Sequence, residues 1–185
     1  MPTEDERIKF WALSYSRSSL LEAKGAIEVL RKGGHSDVIR RALVSATVVA
    51  YFRSFTEARI RKGKKIVPLS NDYVPKALRS THDDLGHLRN KVFGHKDAGE
   101  AGPDGMLNKV LLHADGTGLD IHTLIPIDAS DELLIRCLEA CNAIVARVEA
   151  EMMKFLKTHL KQKLGIGWYE VLLQEENGNW IKMKQ

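Results

Sequence analysis

"VIRRALVSATVVAYFRSF" covers residues 38–55 and is apolar around much of a helical circumference. A helix of this kind buries most of its surface, so the stretch predicts a helix in the centre of the core. Ser36 or Asp37 can cap it, and we expect it to continue to about Arg61. The basic and glycine-containing sequence that follows breaks the helical pattern.

Three further long helices are predicted, over residues 3–32, 75–97 and 130–163. Thr3 followed by Glu6 has the pattern of a capping box at the start of the first of them. The buried positions expected in that helix are Ile8, Trp11, Tyr15, Leu20, Ile27 and Leu30. Pro75 suits the first turn of the third helix, and Ser130 can cap the fourth.

Two β-hairpins are predicted between and after these helices. "LNKVLLHADGTGLDIHTLIPI" alternates apolar and polar residues in its second half around a glycine-rich turn, so we expect a hairpin insertion at about 106–128. Asn177-Gly178 separates two apolar segments and predicts a C-terminal hairpin at about 168–184. The expected fold is therefore mainly α, a single domain over residues 1–185 with four helices and two small hairpins.

The composition restricts the class of protein. The chain has 185 residues, 44% of them hydrophobic and 28% charged, as in a soluble globular domain. A formal charge of +4 permits nucleic acid as a partner without requiring it. We expect no membrane span, no secretory signal and, with Cys137 and Cys141 as free thiols, a cytoplasmic location.

The predicted third helix carries an unusual end, "LRNKVFGHKD", over residues 88–97. Arg89 and His95 border its apolar stripe, six residues apart, which is about 9 Å along the axis and roughly 120° around it. One straight helix therefore cannot bring both side chains to one small group, whereas two copies around a two-fold axis can. The alternative is that Arg89 lays its stem on the core and His95 contacts the helix end as a surface residue.

The "RNKVFGH" sequence resembles the signature of the HEPN superfamily (higher eukaryotes and prokaryotes nucleotide-binding), an arginine and a polar residue followed by a histidine. Here the pattern is Arg-Asn-x4-His, formed by Arg89, Asn90 and His95. The surrounding stretch is similar to the abortive-infection and toxin-like branch of that superfamily. The resemblance implies an up-down four-helix HEPN-like bundle, to which the two hairpins are additions.

The same resemblance implies a function, a metal-independent endoribonuclease that works as a homodimer without a cofactor. It assigns His95 as acid or base toward the ribose 2′-hydroxyl, Arg89 to the scissile phosphate, and Asn90 to positioning. It also implies RNA as substrate, a role as toxin or antiviral effector, and an antitoxin such as a small nucleotidyltransferase as partner. The alternatives are a non-catalytic HEPN-like dimer that binds nucleotide or a partner protein, and a purely structural helical dimer.

A basic run precedes the motif and is a second candidate for RNA contact. Its members are Arg59, Arg61, Lys62, Lys64 and Lys65. They could form a patch for the RNA backbone, or they could be a solvated helix end that complements the helix dipole. In the preceding turn, Arg53 and Glu57 are four residues apart and predict a salt bridge, either structural or supporting the site.

Overall fold

The structure is a computed structural model, which describes residues 1–59, 65–92, 109–114, 119–124, 129–160, 169–176 and 179–183. The protein is mainly helical, as the sequence predicts. The described ranges contain four long helices and three two-stranded antiparallel sheets. None of the helices in these ranges is both long enough and apolar enough to cross a membrane.

Helix α1 comprises Glu4–Lys32 and begins with the predicted capping box. The Thr3 hydroxyl accepts the Glu6 backbone N–H, and the Glu6 carboxylate accepts the Thr3 backbone N–H at 2.7 Å. The helix ends at Gly33, whose φ of 70° is a conformation that glycine adopts without a steric penalty. Both ends of α1 were therefore predictable from local signals.

Two of the predicted buried positions of α1, Trp11 and Tyr15, are not buried. Trp11 and Tyr15 stack on each other at 5.4 Å between ring centroids, and Tyr15 is exposed rather than buried. The helix buries small polar groups in addition to the predicted aliphatic residues. Ser16 donates to the Ala12 carbonyl, a local bond that removes the cost of burying its hydroxyl.

Helix α2 comprises Asp37–Arg53, with Ser36 as its N-cap residue. The prediction that it continues to Arg61 is wrong, because the chain turns after Arg53 and enters strand β1 (Ala58–Arg59). β1 pairs with β2 (Lys65–Ile66) in an antiparallel sheet that the sequence analysis did not predict. A helix through Arg61 would have extended along the polar tail "TEARIR", which has no apolar stripe to bury.

The prediction that α2 is buried in the centre of the core is confirmed only for the second half of the helix. Val44, Val48 and Tyr51 have essentially no exposed surface, whereas Val38 and Ile39 in the first turn are exposed. The difference follows from its neighbours, since α2 packs against α1 and against α3 (Arg79–Val92). The first turn therefore lies outside the buried contact.

Helices α3 and α4 complete the core. A 3-10 turn at Lys76–Leu78 precedes α3, so the helical segment begins next to Pro75 as predicted. Its predicted end near Asp97 lies outside the described residues. Helix α4 comprises Asp131–His159, starts at the predicted Ser130 cap, and ends four residues before the predicted Lys163.

Both predicted hairpin segments contain paired antiparallel strands. β3 (Lys109–Ala114) pairs with β4 (Leu119–Leu124), and β5 (Tyr169–Glu176) pairs with β6 (Asn179–Met183). The second pair has an irregular register between Val171 and Glu176, and β5 contacts α1. The second pair also contacts the helical core through Trp180 of β6, whose ring packs on Phe155 of α4.

Candidate functional site at the end of the third helix

Arg89 and Asn90 occupy the last described turn of α3, and their side chains contact each other. The Arg89 Nε and Nη2 groups both donate to the Asn90 Oδ1, at 3.3 and 3.1 Å. Arg89 is half-buried and Asn90 is exposed. Asn90 thus limits the orientations of the guanidinium, and Nη1 has no hydrogen-bond partner within the described part of the chain.

The guanidinium of Arg89 also has an aromatic support from the end of α2. Its central carbon lies 4.8 Å from the ring centroid of Phe52, within the range of a cation–π contact. Phe52 is itself buried, and its ring contacts Tyr51 and Phe55. A buried aromatic ring is rigid, so it holds the cation in place at the surface edge of the helix pair.

A buried histidine, His82, lies in this same aromatic group two turns before Arg89. Its Nδ1 is 3.1 Å from the Tyr51 hydroxyl, and its ring centroid is 4.9 Å from Phe55 and 5.1 Å from Phe52. Burial raises the pKa of Tyr51 far above its ordinary value, so the Tyr51 hydroxyl keeps its proton. The Tyr51 hydroxyl and the His82 ring therefore share a hydrogen bond between two uncharged groups.

Burial also lowers the pKa of His82, because the charged form loses its hydration. The Asp83 carboxylate acts in the opposite direction, and the Arg89 guanidinium lowers the pKa further. His82 is therefore a neutral ring at pH 7 and does not compete with Arg89 for an anion. Of these two residues, Arg89 is therefore the one that carries a positive charge at pH 7.

The three residues of the predicted motif are only partly described. Arg89 and Asn90 are in contact, as given above, and His95 lies outside the described residues. The polar face of α3 carries Asp83, His87 and Asn90, which are all exposed. Leu85 and Leu88 on the apolar stripe are buried in the core, so the face assignment of this helix is confirmed.

The two described members of the basic run, Arg59 and Lys65, lie in strands, so neither is part of a helix end. Arg59 is in β1 and pairs in register with Lys65 of β2. The Lys65 ammonium lies 2.8 Å from the Glu57 carboxylate, so part of its charge is compensated. Arg61, Lys62 and Lys64 lie outside the described residues, and the RNA-backbone interpretation of the run stays a prediction.

The predicted Arg53–Glu57 salt bridge is wrong. Arg53 pairs instead with Glu22 of α1 at 2.9 Å, and Glu57 pairs with Lys65. The reason is the early end of α2, because a spacing of four residues brings side chains together only within a continuous helix. The Arg53–Glu22 pair joins α1 and α2 at the surface and does not support the motif.

Sequence reasoning missed the aromatic group beneath Arg89. The available signal was the spacing of His82, which precedes Leu85 by three residues and Arg89 by seven, so all three lie on one side of α3. That spacing predicts a partly buried histidine, but it does not indicate its partner. Tyr51 is 31 residues away in sequence, and only the packing of α2 against α3 brings the two together.

Comparison with protein-family models, with curated proteins and with solved structures finds no match for this chain. In the described ranges, no group of three or more histidine, cysteine, aspartate or glutamate side chains converges as a set of metal ligands.

Proposed function

We propose that the protein is a metal-independent endoribonuclease of the HEPN type. The single observation that carries the proposal is the guanidinium of Arg89, held between the Phe52 ring and the Asn90 amide, six residues before His95. A planar guanidinium in a fixed orientation suits two-point contact with a phosphate. An imidazole at His95 supplies a group that takes and gives protons near neutral pH.

The reaction uses a nucleophile that RNA itself carries. The 2′-hydroxyl loses its proton to a base, and its oxygen forms a bond to the adjacent phosphorus. The bond from phosphorus to the 5′-oxygen breaks, and that oxygen receives a proton. We assign both proton transfers to His95 and the stabilisation of charge on the phosphate to Arg89. Asn90 orients Arg89, and this is the physical role that we assign to Asn90 in the motif.

We propose a two-fold homodimer as the active form. Arg89 and His95 on one straight helix point in directions about 120° apart, so a single copy does not bring them to one phosphate. A second copy can supply the missing group across a two-fold axis. Light scattering at micromolar concentration should give twice the mass of 20.8 kDa, and an active monomer would contradict this arrangement.

The proposal includes an up-down HEPN-like arrangement of the four helices. Two contacts between α1 and α4 support opposite directions for this pair. Glu6 lies near His159 at 3.5 Å, and Arg17 contacts Glu149 at 2.6 Å, so later positions in α1 meet earlier ones in α4. As a cellular role we propose a toxin or antiviral effector, kept inactive by an antitoxin such as a small nucleotidyltransferase.

The test is cleavage of single-stranded RNA by purified protein in the presence of EDTA. Wild-type protein should give products with a 2′,3′-cyclic phosphate and a 5′-hydroxyl, and DNA should not be cut. His95→Ala should abolish cleavage. Arg89→Lys should lose most activity, because an ammonium reproduces neither the two-point contact nor the stacking on Phe52. His87→Ala is the matched control, an exposed histidine of the same helix, and it should cleave normally.

The outcomes separate this proposal from the alternative, a non-catalytic dimer that binds nucleotide or a partner protein. Activity that EDTA abolishes and magnesium restores would refute the mechanism. Equal activity in wild type and His95→Ala would remove His95 from it. A folded dimer that cleaves no RNA but binds nucleotide would favour the alternative.

A further inference from the structure

A cavity of about 480 Å³ lies between the first half of α1 and the last turns of α4. This volume is within the range of roughly 300–1,000 Å³ of pockets that hold small molecules. Its apolar wall is formed by Phe10, Leu13 and Phe155, and its polar rim includes Lys9 and Lys154. The wall residues on α1 are buried, so the cavity extends to the edge of the core.

The apolar wall is held in place by contacts between aromatic rings. The Phe155 ring centroid lies 4.7 Å from that of Phe10 and 4.7 Å from that of His159. Trp180 of β6 is buried and meets the Phe155 ring at 90°, with 5.6 Å between centroids. The wall is therefore supported from three sides, and it offers an apolar surface without having to rearrange.

Glu151 on the rim is already compensated by its neighbours. Both of its carboxylate oxygens accept the Tyr73 hydroxyl at 2.9 Å, Lys9 lies at 3.3 Å, and Arg147 lies at 3.7 Å. One carboxylate thus faces two cations and one hydroxyl donor. Its negative charge is neutralised within the protein and is not available to attract a cationic ligand.

Glu6, the other carboxylate on the rim, also has partners within the protein. Its Oε2 accepts the backbone N–H of Thr3 at 2.7 Å and the Thr3 hydroxyl at 3.0 Å, and its Oε1 lies 3.5 Å from the His159 Nε2. The bonds from Thr3 lower the pKa of Glu6, so its charge serves the helix cap. Both rim carboxylates are therefore used by the fold.

Lys154 differs from these residues. Its side chain is exposed on the rim, and it forms no ion pair with any residue in the described ranges. Lys154 is therefore a rim charge without an ion-pair partner among the described residues, and it stands beside an apolar wall. This pairing of an apolar surface with one unpaired ammonium defines the complementary ligand.

We propose that this cavity binds a small organic anion with a flat apolar body, whose charged group contacts Lys154 and whose rings lie on the Phe10–Phe155 wall. The site is separate from the motif on α3 and does not depend on the proposed nuclease activity. Binding would join the first half of α1 to the end of α4, so it should stabilise the folded protein by mass action.

The test uses the fluorescent anion 1-anilinonaphthalene-8-sulfonate, which joins a sulfonate to a flat aromatic body. Fluorescence titration should show one saturable site in wild-type protein at neutral pH. Lys154→Gln should weaken binding about tenfold, the size expected when a hydrogen bond to a charged group is lost. Lys157→Gln is the matched control, because Lys157 is an exposed lysine of the same helix that does not line the cavity. It should bind like wild type.

Two further measurements test the apolar half of the proposal. N-Phenyl-1-naphthylamine has the same rings without the sulfonate, and it should bind about tenfold more weakly than the sulfonate. Thr158→Trp places a large side chain at the rim and should abolish binding while the thermal midpoint stays near that of wild type. Equal binding by Lys154→Gln and Lys157→Gln, equal binding of the two probes, or undiminished binding by Thr158→Trp would each overturn the proposal.

Discussion

Two aromatic clusters, each with one histidine, lie between different helix pairs, and they differ in whether a cavity borders them. The inner cluster, between α2 and α3, consists of Tyr51, Phe52, Phe55 and His82. The outer cluster, at the α1–α4 end, consists of Phe10, Phe155, His159 and Trp180. The inner cluster carries a cation on its surface, whereas the outer cluster borders a cavity of about 480 Å³.

The difference lies in the partners of the two histidines. His82 is neutral and hydrogen-bonds the Tyr51 hydroxyl, so its ring can be buried among other rings. His159 lies 3.5 Å from a carboxylate and keeps some exposure to solvent. The same residue type thus closes one cluster and leaves the other open.

The largest expected effect compares one phenylalanine from each cluster. Phe52→Ala should lower the free energy of unfolding by about 3–5 kcal/mol, because it removes a buried ring and leaves a closed void. Phe155→Ala should cost roughly half as much, because its ring is half-buried and already borders open space. Urea unfolding of both variants measures this difference. Equal losses would mean that the outer cluster is packed as tightly as the inner one.

The next effect concerns acid and the inner cluster. Since the pKa of folded His82 is lowered, the unfolded chain binds its proton more readily. Stability should be complete above the unfolded pKa of about 6.5 and should fall as the pH decreases below it. His82→Asn retains a hydrogen-bonding group for Tyr51 but does not titrate, so the loss of stability between pH 7 and pH 5 should shrink. Thermal midpoints at each pH measure it.

The control for this experiment is His87→Asn, an exposed histidine on the opposite side of α3. It should keep the wild-type dependence of stability on pH between 7 and 5. If His87→Asn flattened the curve and His82→Asn did not, the buried ring would not be the group that titrates.

The smallest effect concerns acid and the outer cluster. Bonds from Thr3 lower the pKa of Glu6, so its contribution is present above the ordinary pKa of a glutamate and is lost as the pH falls through the lowered value. Glu6→Gln removes this titration, so the variant should lose less stability on acidification. The difference should appear at lower pH than the effect of His82. The effect should be small because the carboxylate is exposed to solvent. Glu4→Gln in the same turn is the control, and thermal midpoints between pH 5 and pH 3 should separate the two variants.

Local signals were sufficient for most element boundaries. The Thr3 and Ser130 caps and the Asn177-Gly178 pair act within a few residues, so the helix starts and the C-terminal strand pair could be predicted. The end of α2 could not be predicted from local signals, because "TEARIR" contains no residue that excludes a helix. Whether a chain continues as a helix there depends on whether a neighbour covers it.

Some features of the candidate site could likewise be predicted from local sequence, and others could not. The sequence by itself determined that Arg89 lies at the edge of the apolar stripe of α3 and that Asn90 is exposed, since a helical period fixes the face of each residue. It did not determine that Phe52 supports the guanidinium, that Tyr51 binds His82, or that Glu22 rather than Glu57 pairs with Arg53. Those partners are 31–37 residues apart, and only the packing of α2 against α1 and α3 selects them, because contacts between helices depend on their relative positions in space and not on a local period.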